Sequence, residues 1–111
     1  MSFIPVNEPL LNGNEKKYLN ECIDTGWISS EGPFIKRFEK GMANYVGRKY
    51  GVACANGSAA LDIAVRALDL QKGDEVIAPS FTIISSIQSL VTNGLKPILL
   101  DCDFSTFNIN P

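Results

Sequence analysis

The first regular feature of the chain is a helical spacing of apolar residues: Tyr18, Leu19, Cys22 and Ile23. Asn12-Gly13-Asn14-Glu15 precedes it as a capping box, with Asn12 placed to cap the first amides and Glu15 to reach back. Gly26 follows as a stop signal. A second stripe runs through Phe34, Ile35, Phe38, Met42 and Val46, with Pro33 in its first turn and Gly47 at its end. Residues 1–11 carry Pro5 and Pro9 and read as an extended arm. Between the two stripes lies the loop Gly26–Phe34, which holds the single tryptophan, Trp27.

From Tyr50 the pattern changes. Residues 50–55 read as a short buried strand and 58–70 as a helix with Leu61, Val65 and Leu68 on one face, closed by Gly73. Residues 74–80 read as a second strand. Residues 82–93 match helical spacing through Ile83, Ile84, Ile87, Leu90 and Val91, although β-branched side chains are frequent there. Asn93-Gly94 is a helix stop, which decides for helix. Residues 96–103 give a third strand. The expectation is an α/β chain: two leading helices, then β-α-β-α-β with mainly parallel strands and helices over one sheet face.

The chain has 111 residues, 45% apolar and 20% charged, with a net charge of −2. This is the mix of a folded domain, and such a length buries roughly 60–70% of its unfolded surface. No basic run exceeds two residues, which argues against nucleic acid or an anionic membrane as partner. No apolar stretch reaches a membrane span, and the first residues lack the form of a secretory signal. Histidine is absent, and Cys22, Cys54 and Cys102 are far apart. Metal sites and His-based triads are therefore not expected, and the cysteines read as reduced thiols of a cytosolic protein.

Ligands of an open parallel sheet lie beyond the carboxyl ends of its strands. Three segments fall there: Asn56-Gly57-Ser58, Ser80-Phe81-Thr82 and Asp101-Cys102-Asp103. In the first, Gly57 allows a tight turn, and the amides of Ser58, Ala59 and Ala60 at a helix N-terminus suit an anion. Ser58 as a plain helix cap is the alternative, and the pattern alone favours it. The stretch is neither a Walker loop nor the dinucleotide glycine fingerprint. Phe81 offers a ring for a planar ligand, with core packing as the alternative. Trp27 in its loop either plugs the structure or borders a site. Asp101 and Asp103, two apart, do not form an acid/base pair, and one is expected to bond to backbone.

Four segments in order carry a family resemblance: IPVNEPLLNGNEKKYLNECIDTGWISSEGPFIKRFE, NGSAALDIAVRAL, KGDEVIAPSFTIISS and PILLDCDFSTFNINP. Together they resemble the N-terminal part of the DegT/DnrJ sugar aminotransferases, of the aspartate aminotransferase fold (fold type I), and within them the perosamine synthetase branch. The resemblance implies a cytoplasmic homodimer with its active site at the subunit interface. It implies transfer of an amino group from glutamate to a nucleotide-linked 4-keto-6-deoxy sugar for O-antigen or other polysaccharide. Pyridoxal 5′-phosphate (PLP) would be the cofactor. By position, Gly57 and the amides of Ser58 and Ala59 would hold its phosphate, and Phe81 would stack on its ring. Trp27 and Ser29 would border the sugar.

On the same basis residues 1–49 form the arm and two helices, and 50–111 the first part of the PLP-binding α/β large domain. Family enzymes run to several hundred residues. Their cofactor-anchoring lysine and the aspartate that pairs the pyridine nitrogen are expected beyond Pro111, so no catalytic residue is assigned in this chain. The expectation is a truncated form or fragment that does not transaminate by itself. The alternative is a non-catalytic phosphate-ligand-binding or interaction module.

Overall fold

The computed structural model describes residues 3–109 and divides into two units, 1–52 and 53–111. The outermost residues of the arm and of the last sequence block lie outside the described residues.

The first unit holds α1 (Glu15–Thr25) and α2 (Pro33–Tyr45). Gly26 ends α1 in the left-handed region at φ 73°, and Pro33 opens α2, both as expected. The cap of α1 differs from expectation. Asn14, not Asn12, is the capping position and makes no side-chain bond, while Glu15 does reach back, accepting the Gly13 N–H at 2.9 Å. The helices meet through rings: Tyr18 and Phe34 lie 5.3 Å apart, with the Arg37 guanidinium 5.0 Å and 5.1 Å from the two centroids. Ala43 is buried, whereas Leu19, Ile23, Phe38 and Met42 remain exposed.

The second unit holds α3 (Gly57–Ala67), β1 (Glu75–Pro79), α4 (Ile84–Thr92) and β2 (Lys96–Leu100). β1 and β2 pair in parallel from Glu75↔Lys96 to Pro79↔Leu100, joined through α4. α4 packs on both strands and α3 packs on α4. The core is Ala78, Leu90 and Leu95, with Val65, Val76 and Ile87 against it. Val65 is thus the part of the expected α3 face that reaches the core. Leu68 stays exposed. α3 stops at Ala67 rather than residue 70. The Asp74 carboxylate accepts the Gln71 N–H at 2.8 Å, Asp69 is left-handed at φ 53°, and these local bonds compete with further helical turns.

The expected strand at 50–55 is not formed: among the described residues the sheet has two strands, β1 and β2. Tyr50 and Val52 are 75% and 73% exposed. Apolar content marks a segment that suits burial, but here the segment is divided between the two units and both of these side chains stay largely in solvent. At Gly51 a side chain is impossible without movement, since a Cβ would lie 2.6 Å from the Glu39 carbonyl oxygen.

Candidate functional site

The start of α3 is set by Asn56. Its backbone is extended at φ −163° and ψ 173°, and its Oδ1 accepts the Ala59 N–H at 2.9 Å. Its own carbonyl accepts the Ala60 N–H at 3.1 Å. Asn56, not Ser58, is therefore the helix cap, and the cap claims the Ala59 amide that the sequence offered to an anion. The amides still open, among the described residues, are those of Gly57 and Ser58, which precede any intrahelical carbonyl. The first turn contains no acidic residue, and Arg66 sits in the last turn. The lack of a carboxylate in the first turn favours an anion at this end, while Arg66 complements the opposite end of the dipole. Gly57 adopts no positive φ, and a Cβ at this position would meet no atom within 4 Å. The position is open on its side-chain side, and no tight turn requires a glycine there. The tight turn expected at Gly57 is not formed: Gly57 is the first helical residue, entered from an extended Asn56.

Asn56→Ala removes the cap bond and is expected to lower stability by about 1 kcal/mol. A urea denaturation midpoint unchanged from wild type would contradict that role.

Ser58 also lines a polar cleft of 270 Å³ between α3 and α4, with Asp62, Arg66, Gln88 and Ser89 among its walls. Asp62 ties the two helices: its Oδ2 lies 3.1 Å from Arg66 Nε, and its Oδ1 accepts Asn93 Nδ2–H at 2.6 Å.

Phe81, just past β1, is 69% exposed, so it is not a core residue. Its ring lies 5.5 Å from that of Phe107, and Phe107 lies 6.4 Å from Phe104. The sequence expectation included neither partner. The one signal for them is the aromatic spacing in DFSTF, residues 103–107.

Asp101 and Asp103 behave as separate residues. Asp101 Oδ1 accepts the Cys102 N–H at 2.8 Å. Asp103 Oδ1 accepts from the Ser105 hydroxyl at 2.5 Å and from the Thr106 and Ser105 amides, each at 2.9 Å. The Ser105 hydroxyl first, then the Thr106 amide, hold the Asp103 carboxyl below its ordinary pKa. The folded chain thus releases this proton more readily than the unfolded chain. The turn's stabilisation is complete above the ordinary aspartate value of about 3.9 and is lost as pH falls through the lowered one. The Ser105 and Thr106 amide resonances are expected to hold steady to below about pH 4 and to shift only under it. Movement at higher pH would contradict this.

Trp27 and Ser29 lie in the first unit, in the loop between α1 and α2. Trp27 is 49% exposed, and the buried Gly32 passes close enough that a Cβ there would be 3.4 Å from the Trp27 Cβ. Gly57, Ser58, Ala59 and Phe81 all lie in the second unit. The seven lysines are all exposed. Among the described residues there is no cluster suited to a metal ion, and no helix long and apolar enough to cross a membrane.

Helices leading into a βα-layered unit, with an open helix N-terminus, match the N-terminal portion of a fold type I aminotransferase. Solved structures agree. The E. coli GDP-4-keto-6-deoxy-D-mannose-3-dehydratase with bound hydrated PLP superposes with a TM-score of 0.88 at 28% identity, over 96% of this chain and 28% of that one. An aminotransferase from Psychrobacter cryohalolentis superposes at 0.84 with 36% identity, over 93% and 26%.

The family model for DegT/DnrJ/EryC1/StrS aminotransferases matches residues 9–111, and the chain belongs to that family. It is 50% identical over 107 residues to the GDP-perosamine synthase of Caulobacter vibrioides, covering 96% of this chain and 29% of that relative. The chain therefore spans under a third of the length of the curated relatives it matches.

Proposed function

We propose that this chain is the phosphate- and ring-holding portion of a PLP-dependent sugar aminotransferase. The observation that carries the proposal is the 50% identity to a GDP-perosamine synthase across 96% of the chain. The reaction would move an amino group from glutamate to a GDP-linked 4-keto-6-deoxy sugar, for O-antigen or a related polysaccharide. We place the enzyme in the cytoplasm as a homodimer with its active site at the subunit interface, as the family resemblance implies.

The residues fit the cofactor. The Gly57 and Ser58 amides and the Ser58 hydroxyl would bind the phosphate at the positive end of α3. Ala59 contributes by holding that end through Asn56, and its small side chain keeps the approach clear. Phe81 would cover one face of the pyridine ring and exclude water from it. Trp27 and Ser29 would border the sugar. When bound, PLP supplies the electron sink for amino-group exchange.

The chain's own groups bind and orient. Moving a proton at the substrate carbon calls for a desolvated lysine, and every lysine here is exposed. The 111-residue polypeptide, given PLP, glutamate and GDP-4-keto-6-deoxymannose, is expected to form no amino sugar while still binding cofactor saturably. Amino-sugar formation, or no saturable binding, would overturn the assignment.

A further inference from the structure

We infer that Phe107 is a positioning residue for Phe81, bracing its ring in the orientation that receives a flat, phosphorylated pyridine. The inference rests on the reading of Phe81 as the stacking ring.

The first observation is backbone strain. Phe107 has φ 56°, a left-handed conformation that suits glycine or asparagine and opposes a bulky side chain. The surrounding turn enforces it. The Phe107 N–H donates to the Asp103 carbonyl at 2.8 Å, and the Asp103 N–H donates to the Asn108 carbonyl at 2.8 Å. The Asp103 carboxylate gathers the Ser105 and Thr106 amides within the same turn. Cys102 and Ile109 close it as an antiparallel bridge.

This turn does not need an aromatic ring to close. Phe107 is 59% exposed and contributes nothing to the core of Ala78, Leu90 and Leu95. What the left-handed backbone does achieve is contact with a distant segment. The Phe107 ring meets Phe81 at 5.5 Å with planes 38° apart, within the separation of favourable aromatic pairs. Strain of this kind persists where the surroundings over-determine it, and it concentrates at ligand sites.

The Phe81 side has matching needs. The backbone there is fixed by the Ser80 N–H, which donates to the Leu100 carbonyl at 2.8 Å. The ring itself is largely in solvent and is free to choose rotamers unless a neighbour limits it. A ring already held loses less freedom when a ligand stacks on it, which strengthens binding without any new ligand contact.

Four variants of the full chain, Phe81→Ala, Phe107→Gly, Phe107→Tyr and the Phe81→Ala/Phe107→Gly double, are titrated with pyridoxamine 5′-phosphate. This probe has the ring and phosphate but no aldehyde to react with the exposed lysines. Glycine suits φ 56°, so Phe107→Gly keeps the turn and removes the ring, with its contacts to Phe81 and to the exposed Phe104. Its affinity is expected to fall about three- to tenfold, the size of an aromatic pair contribution. Phe107→Tyr is expected to bind like wild type, and the double variant like Phe81→Ala alone, because the two rings act in series. In ligand-free Phe107→Gly, the Phe81 ring resonances are expected to move toward random-coil positions while the β1 and β2 amides stay in place. Wild-type affinity in Phe107→Gly, with weak binding in Phe81→Ala, overturns the inference and leaves the site reading intact. Wild-type affinity in Phe81→Ala overturns the stacking reading itself, and this inference with it.

Discussion

Ser58→Asp is expected to weaken pyridoxamine 5′-phosphate binding on the order of a hundredfold without unfolding the chain. Two effects combine. The carboxylate occupies the space beside the open Gly57 and Ser58 amides, and it repels the phosphate they would receive. Hydrogen bonds to a charged group are worth about 1.5–3 kcal/mol, and 2.7 kcal/mol corresponds to roughly a hundredfold. Stability should move the other way. A negative charge in the first turn of α3 is favourable with the helix dipole, by about 0.3–1 kcal/mol. The Asn56 cap on Ala59 does not involve the Ser58 side chain. Lost binding together with an unchanged or raised denaturation midpoint is thus the signature of a phosphate site. Unchanged binding would show that the anion sits elsewhere.

Leu90→Ala is expected to cause the largest loss of stability. Leu90 is 6% exposed and joins α4 to Ala78 and Leu95 in the buried cluster of the second unit. Truncating a buried leucine costs about 2–5 kcal/mol, against a normal total of about 5–15 kcal/mol for a complete domain. With so few buried residues, the second unit is expected to lose its cooperative urea transition. Leu68→Ala, at an exposed position of similar chemistry, is expected to stay within about 0.5 kcal/mol of wild type. A Leu90→Ala midpoint equal to that of Leu68→Ala would show that this core does not hold the unit together.

Much of this architecture is legible in the sequence because its punctuation is local. Gly26, Pro33 and Gly94 act through their own backbone preferences, and each stands at the element boundary it announces. In α4 the β-branched residues point to a strand, but apolar spacing and the Asn93-Gly94 stop decide correctly for a helix. The expected strand at 50–55 fails for a different reason. Sequence reports that a segment suits burial, not that Tyr50 and Val52 stay in solvent where the chain passes from one unit to the other. The end of α3 turns on Asp74 capturing the Gln71 amide, a competition that periodicity does not register.

The site shows the same division. Asn56-Gly57-Ser58 is visible as a helix start, yet the sequence pattern assigns the capping to serine where the structure assigns it to asparagine. Asparagine and serine are comparable caps, and the extended backbone at Asn56 with its Oδ1 bond to the Ala59 N–H separates them. That reassignment changes the chemistry. It takes the Ala59 amide out of the open set and frees the Ser58 hydroxyl. The partnership of Phe81 with Phe107 links positions on either side of β2, and no local pattern reveals it.

The most direct test follows the backbone amide resonances of Gly57, Ser58 and Ala59 during parallel titrations with pyridoxamine 5′-phosphate and with pyridoxamine. Large saturable shifts at Gly57 and Ser58, smaller ones at the capped Ala59, and none with the unphosphorylated compound are the expected result. Equal shifts with both compounds, or binding of the phosphorylated one without movement at Gly57 and Ser58, would contradict the phosphate cradle.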